Sequence, residues 1–212
     1  MIPADLEATA AEYQQLRPLM TELHTEIGKL VRKDAILACA KRLRMLSRQN
    51  GKKVVLFEDE FEMDIFQDYQ IYMHRPRGIN AAQQMLNRNR YPDGSDKRRL
   101  LEGMVKARFS IFLVKEIIKP AGFIGMDIYT GEEFFILDLT LPTQDIVGLM
   151  SGFRIFPYKN VWMHTGANLT LGQTQDVAGF QSYGTQLNEK QEQTLNEEAI
   201  FRWRAMVGEM EG

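Results

Sequence analysis

The residues best suited to chemistry are the carboxylates concentrated between Glu58 and Asp68. Glu60, Asp64 and Asp68 recur every four residues, so on a helix they form a single stripe. Such a stripe can bind a hard cation such as Mg²⁺, act as an acid/base pair, or dock a basic partner. We favour a solvated helix face, since acidic residues also stabilise a helix N-terminus. The three residues are candidate metal ligands, and a metal-dependent hydrolase is our third hypothesis.

Basic residues are concentrated in two segments, 32–53 and 88–108. The first holds eight basic residues and one acidic residue, and the second holds seven and three. On one shared face they could bind phosphates, which makes a nucleic-acid-binding protein the alternative hypothesis. Pairing with acidic residues inside the fold is the simpler interpretation. The candidate nucleic-acid contacts are Arg42, Arg44, Arg48, Lys52, Lys53, Lys97, Arg98 and Arg99.

Signatures of known enzyme classes are missing from the sequence. It has no Gly-x-Ser-x-Gly elbow, no Walker loop and no glycine-rich dinucleotide fingerprint. The histidines His24, His74 and His164 lie in three separate segments, and Cys39 is the only cysteine, so a zinc site is not expected. We therefore expect no catalytic residue and no cofactor, which favours a non-enzymatic role.

Bulk composition fits a globular chain. The 212 residues suffice for one large domain or two small ones, and the net charge of −2 gives no general attraction to nucleic acid or anionic membranes. No window approaches eighteen uninterrupted apolar residues, and the N-terminus lacks the pattern of a signal peptide. We expect a soluble cytoplasmic protein without a membrane partner.

A heptad-like pattern covers residues 4–31 and predicts one apolar seam on a helix or helix pair. Pro18 interrupts the pattern, so we expect a kink or a break near Arg17, with Pro18 opening a second helix. The seam either packs on its own domain or forms a dimer. Its residues are the candidates for self-association: Leu6, Tyr13, Leu16, Met20, Leu23, Ile27 and Leu30.

Helical patterns continue as far as about Ala107. A helix is expected over 33–47, ended by Asn50-Gly51 as a left-handed stop. A strongly amphipathic helix is expected over 59–73, with Phe61 on its apolar face, and shorter helices follow over 80–89 and 95–107.

Strand patterns replace the helical ones close to Arg108. The strands expected over 109–118, 123–129, 133–139, 152–157 and 160–171 are rich in aromatic and β-branched residues and are separated by turns. Four or five such strands predict a small antiparallel barrel or curled sheet. The segment 172–185 resembles a linker, and Asn188 starts a final helix. The prediction is an α+β fold with a helical region 1–107, a β domain 108–171, and a linker with a C-terminal docking helix over 172–212.

Several stretches carry a resemblance to a known group of proteins. They are residues 61–69, 78–80, 98–112, 127–133 and 162–166. Together they resemble a bacterial family of uncharacterised proteins whose helical-plus-β region often accompanies a SEC-C motif, a small cysteine-rich zinc-binding tail. Residues 172–212 contain no cysteine, so that zinc site is not carried over. The resemblance implies the domain layout and a bacterial cytoplasmic setting, and no catalytic residue.

These observations favour an interaction protein over an enzyme. The leading hypothesis is a non-enzymatic module that self-associates through the N-terminal helices or the C-terminal helix, as a homo-oligomer or with another protein partner.

Overall fold

The computed structural model describes the backbone of residues 2–210 and the side chains of residues 2–208. The chain divides into two compact units. The helical unit comprises residues 19–105, and the barrel unit comprises residues 1–18 and 106–212. Within the described residues, no helix combines the length and the apolar character needed to cross a membrane.

The helical unit contains five helical elements and one hairpin. The helices are the C-terminal part of α1 (Leu6–Gly28), α2 (Lys33–Arg42), α3 (Phe61–Tyr72), α4 (Ala81–Asn87) and α5 (Asp96–Val105). A short 3₁₀ turn, Pro76–Gly78, lies between α3 and α4. The hairpin strands are β1 (Leu46–Gln49) and β2 (Lys52–Val55).

Helix α1 continues through Pro18, so the predicted second helix opening at this proline does not form. Proline removes one backbone hydrogen bond and crowds the preceding turn. Leu16, Met20 and Leu23 on either side of it are all buried. The free energy gained by burying these apolar side chains offsets the lost hydrogen bond at Pro18. A prediction from the proline alone does not include this burial.

The hairpin corrects the prediction for residues 43–51. Helix α2 ends at Arg42, and Asn50-Gly51 turns a hairpin instead of stopping a helix. Both residues are left-handed, with φ of 49° at Asn50 and 76° at Gly51. Two consecutive positive φ values define the tight turn whose twist matches antiparallel strands, and Asn-Gly is its preferred sequence. The same dipeptide therefore has two interpretations, and the strands on either side decide between them.

The barrel unit confirms the α+β fold. Its strands are β3 (Arg108–Ile118), β4 (Gly122–Asp127), β5 (Glu133–Leu137), β6 (Leu149–Tyr158) and β7 (Val161–Gln173). A 3₁₀ turn, Leu141–Thr143, precedes β6, and α6 (Glu189–Met210) follows β7. The strands close into a barrel in the order β3-β4-β5-β7-β6.

One pair of neighbouring strands in the barrel is parallel, whereas the sequence predicted an antiparallel sheet. Ile136 and Leu137 on β5 pair with Trp162 and Met163 on β7 in parallel, and the other four strand pairs are antiparallel. The reason is geometric. Five strands cannot alternate in direction all the way around a closed ring, so one neighbouring pair must run the same way.

The barrel core is largely aromatic. The rings of Phe112 and Phe153 stack with centroids 4.6 Å apart, and Phe123 meets Phe153 edge to face. Gly122 on β4 allows the close approach of β5, since a Cβ there would lie 2.1 Å from the carbonyl oxygen of Ile136. Large rings and small residues together fill the narrow interior of a five-stranded barrel.

Helix α6 docks on the barrel through a buried charge. The side chain of Arg154 on β6 is fully buried, and its Nη1 lies 2.8 Å from Oε1 of Glu192 on α6. Its Nη2 donates to Asn196 at 3.2 Å, and the same Glu192 oxygen accepts the backbone N–H of Phe109 at 2.7 Å. A buried guanidinium requires such partners, so Arg154 fixes both the position and the register of α6.

Removing the Arg154 side chain should therefore destabilise the protein strongly. The Arg154→Met variant leaves the Glu192 carboxylate without its cation, and we expect the free energy of unfolding to fall by about 3–5 kcal/mol in urea denaturation. The matched control is Arg202→Met on the exposed side of α6, expected to change it by less than about 0.5 kcal/mol.

The double variant Arg154→Met/Glu192→Leu separates charge burial from packing. It leaves no unpaired charge, so it should be more stable than Arg154→Met alone. A double variant that is less stable than the single one would contradict this assignment.

Candidate interaction surface

Exposed apolar side chains are concentrated at the junction of β2 and α3. Four of the eight large apolar residues exposed in the described part of the chain fall within eight consecutive positions, and they are Leu56, Phe57, Phe61 and Met63. Phe61 is 61% exposed and Met63 is 56% exposed. The carboxylates of Glu60 and Asp64 lie in the same segment. We call these four apolar residues and two carboxylates the apolar–acidic surface. Grouped exposed apolar residues rimmed by polar ones are typical of binding surfaces.

Local hydrogen bonds fix the backbone of this segment at the start of α3. Oδ1 of Asp59 accepts the backbone N–H of Phe61 at 2.7 Å, and Oε2 of Glu62 accepts that of Glu58 at 2.9 Å. Glu62 is buried and Phe61 is exposed, so the predicted apolar face of α3 is not covered at its first residue. Helical periodicity alone does not predict that the Glu62 carboxylate in the first turn of α3 is buried and accepts the backbone N–H of Glu58.

The predicted acidic stripe divides into an exposed and a partly buried part. Glu60 and Asp64 are exposed, whereas Asp68 is partly buried and makes a contact within the chain. Among residues 2–208, no three His, Cys, Asp or Glu side chains gather in a metal-binding arrangement, and so the stripe does not form one.

His24 on α1 lies under the C-terminal part of this stripe. Its Nε2 is 2.9 Å from the Tyr72 hydroxyl, and its backbone carbonyl accepts a hydrogen bond from Gln67. Burial lowers the pKa of His24, although the carboxylates of Asp68 and Asp64 act in the opposite direction. Desolvation therefore disfavours the protonated form of this imidazole.

The hairpin carries exposed basic residues from the first basic segment. Arg48 stands directly opposite Lys53, and Lys52 lies beside the turn. All three are exposed, and none of them makes an ion pair with another described residue. Like charges facing each other across strands destabilise a hairpin. We call β1, β2 and these three cations the basic hairpin.

The remaining basic candidates are engaged within the chain. Arg42 and Arg44 are exposed and make internal contacts. In the second basic segment, Lys97 lies 2.7 Å from Glu22 and Arg98 lies 2.7 Å from Glu102. Arg99 lies 3.4 Å from Asp96. These pairs neutralise much of the positive charge that the sequence displays.

The candidate self-association seam faces the interior of the chain. Leu6 and Leu30 at its two ends are partly buried. The other five residues are buried, and they are Tyr13, Leu16, Met20, Leu23 and Ile27. These five side chains are therefore packed within the chain, and self-association through the seam stays a prediction.

The buried carboxylate of Asp138 in the barrel unit lies among groups that stabilise its charge. Oδ1 of Asp138 accepts the backbone N–H groups of Thr140 and Leu141, and its Oδ2 lies 2.7 Å from Nε2 of His164. Burial alone would raise the pKa of Asp138, but His164 and these N–H groups outweigh it and lower that pKa. Burial, followed by the nearby Asp138 carboxylate, raises the pKa of Tyr13 to about 12. These groups stabilise the strand ends of the barrel.

Comparison with protein families places the chain in one of them. Residues 7–201 match a family of unknown function, DUF7986. The chain belongs to the DUF7986 family. This agrees with the expected resemblance to uncharacterised proteins, whereas the association with a SEC-C motif and the bacterial setting stay predictions. No curated protein and no solved structure matches the chain.

The lowered pKa of His24 makes the stability of the helical unit dependent on pH. In the unfolded chain this residue takes up a proton near pH 6.5, and in the folded protein it does so only at a lower pH. Between these values the unfolded state binds more protons, so the free energy of unfolding should decrease as the pH falls below about 6.5. Urea denaturation at pH 7.5, 6.5 and 5.5 measures the effect.

The His24→Gln variant should lose that part of the pH dependence, and His74→Gln should retain it. Equal slopes for wild type and His24→Gln between pH 7.5 and 5.5 would rule out a buried neutral imidazole at this position.

Proposed function

We propose that the protein is a non-enzymatic interaction module that self-associates through its helical unit. The observation that carries the proposal is the apolar–acidic surface next to the basic hairpin. In a pair of copies, the hairpin of each molecule would lie on the apolar–acidic surface of the other.

The apolar part supplies the driving force. Phe61 and Met63 expose most of their surface to water, and Leu56 and Phe57 extend the apolar area along the chain. Fully burying one such side chain contributes about 1.5–3 kcal/mol. Aromatic and methionine side chains are also enriched at the centres of protein interfaces.

Charge supplies the orientation. Arg48, Lys52 and Lys53 lack ion-pair partners among the described residues, and Glu60 and Asp64 are exposed. Complementary charges steer encounter and fix register more than they add affinity. The helical unit carries both the basic hairpin and the apolar–acidic surface. Two copies related by a two-fold axis would therefore form this contact twice.

This surface differs from the helices first considered for self-association. Five of the seven seam residues on α1 are already buried in the single chain, and the apolar face of α6 is also covered, with Leu195, Ile200 and Trp203 buried. The junction of β2 and α3 is where apolar area remains uncovered, so the proposal uses it.

Removing the apolar anchors should weaken self-association. For Phe61→Ser/Met63→Ser, we expect the dimer dissociation constant to rise by about ten- to a hundredfold, because two buried anchors are lost. Sedimentation velocity over a range of concentrations measures this constant.

The matched control replaces an exposed apolar residue of the barrel unit, Val147→Ser, and should leave the constant unchanged. Thermal denaturation should show both variants folded. A wild-type chain that is monomeric at several hundred micromolar would refute the proposed function.

A charge exchange tests the predicted pairing directly. One variant carries Lys52→Glu/Lys53→Glu, and the other carries Glu60→Lys/Asp64→Lys. Each alone should dimerise poorly, since both contacts of its homodimer become repulsive. An equimolar mixture should form a heterodimer in which both contacts are attractive again.

Native mass spectrometry of the mixture distinguishes the heterodimer from either homodimer, and circular dichroism checks that α3 is intact after loss of two acidic residues from its N-terminal turn. If the mixture stays monomeric while the wild type dimerises, the two surfaces do not meet in the dimer.

Nucleic-acid binding is the second candidate, and the basic hairpin is the observation that favours it. Its three cations could contact phosphates instead of carboxylates. Binding to single-stranded oligonucleotides would then weaken steeply with salt and be lost in Lys52→Glu/Lys53→Glu. It would be unaffected in Phe61→Ser/Met63→Ser, which separates the two functions.

A further inference from the structure

We infer that the helical unit contains a binding pocket for a small carboxylic acid with an apolar body. The pocket has a volume of about 420 Å³ and lies among α2, α3 and the segment between α3 and α4. This volume falls within the range of small-molecule sites. The inference is independent of self-association, since it uses none of the residues of the apolar–acidic surface.

A buried amide without a partner points to a ligand. Gln70 on α3 lines the pocket and is more than nine-tenths buried. Its side chain makes no hydrogen bond to another residue in the described part of the chain. The fully enclosed side-chain polar atoms without a hydrogen-bond partner in the described chain are Nε of Arg108 and Nε2 of His164, so the amide of Gln70 is not sealed off and stays open to the pocket. A bound polar group can form hydrogen bonds with it there.

The N-terminus of α2 also faces the same pocket. Arg32, Asp34 and Ala35 line it, and they are the N-cap and two first-turn residues of this ten-residue helix. No side chain caps the helix at Arg32. Unpaired backbone N–H groups at a helix start bind anions such as carboxylates.

The charges around the pocket favour an anion carrying a single charge. Nε of Arg32 already lies 3.1 Å from Oδ1 of Asp34, so these two neutralise each other. Arg77 is exposed, lines the pocket, and makes no ion pair within the described residues. One unmatched cation suits a carboxylate, whereas a phosphate dianion would call for further cations.

Much of the remaining pocket wall is apolar, and we therefore expect the part of the ligand beyond its carboxylate to be apolar. Leu30, Val31 and Ala81 line the pocket together with Ile79, one of the large apolar residues left exposed in the chain. An alkyl or aryl group on these side chains would be removed from water while its carboxylate meets Gln70, Arg77 and the start of α2.

Ligand titrations on the full chain test the pocket. The probes are octanoate and 4-phenylbutyrate, with octanol and 4-phenylbutanol as neutral analogues and inorganic phosphate as a bare anion. We expect saturable binding of both carboxylates in the micromolar to low millimolar range by NMR titration. The neutral analogues should bind at least about tenfold more weakly, because they lack the charge.

Three variants locate the binding. Gln70→Leu and Arg77→Gln should each weaken carboxylate binding by about tenfold. The matched control Arg88→Gln changes an exposed arginine at the end of α4, outside the pocket, and should bind like the wild type. Gln70→Leu should also be as stable as the wild type or more stable, since the amide that it removes makes no hydrogen bond within the described chain.

Several results would overturn the inference. They are the absence of saturable binding by either carboxylate at 10 mM, equal binding by the neutral analogues, competition by phosphate at the same concentration, and carboxylate binding unchanged in both Gln70→Leu and Arg77→Gln. A clear loss of stability in Gln70→Leu would assign that residue a structural role and would equally contradict it.

Discussion

The guanidinium of Arg154 is enclosed by the barrel unit, and the position of helix α6 depends on it. A cation taken out of water must meet an anion and further acceptors, and Glu192 and Asn196 supply them from α6. Glu192 also binds the backbone N–H of Phe109 at the start of the first barrel strand. One buried charge thus joins strand β6, strand β3 and the C-terminal helix. Hydrophobic burial of Leu195, Ile200 and Trp203 adds stability without fixing the register in the same way.

Two carboxylates of the barrel unit accept several hydrogen bonds each, although Nε of Arg108 and Nε2 of His164 in the same unit are buried without a hydrogen-bond partner among the described residues. Asp127 accepts hydrogen bonds from the Ser110 hydroxyl and the backbone N–H of Tyr129, and it pairs with Arg108. Asp138 accepts two backbone N–H groups and lies beside His164. In the helical unit, the cations of the basic hairpin and the amide of Gln70 have no such partners among the described residues. Phe61 and Met63 remain in water. A partner or ligand can cover unpaired polar groups that solvent reaches and apolar side chains that are exposed, and both proposals therefore concern the helical unit.

Much of the fold could be predicted from periodicity, because each element buries one face. The change from helical to alternating patterns near Arg108 matches the start of β3, and the helices over 61–72 and 189–210 lie where amphipathic patterns predicted them. Local rules failed where two of them competed. Asn50-Gly51 suits a helix stop and a hairpin turn equally, and Pro18 is tolerated inside α1 because its neighbours are buried. The candidate surface could be predicted only in part. The sequence shows its charged residues, but it does not show that Phe61 is exposed.

The sequence by itself determined the α+β composition, the positions of most elements and the runs of like charge, since these follow from residue type and spacing along the chain. Only the tertiary structure decided which charges remain unpaired. Lys97 and Arg98 find carboxylates at 2.7 Å, whereas Arg48, Lys52 and Lys53 do not find one within the described residues. It also closed the barrel, and with five strands closure required β5 and β7 to run parallel. Both outcomes depend on distances between residues far apart in the chain, and such distances exist only once the whole backbone has folded.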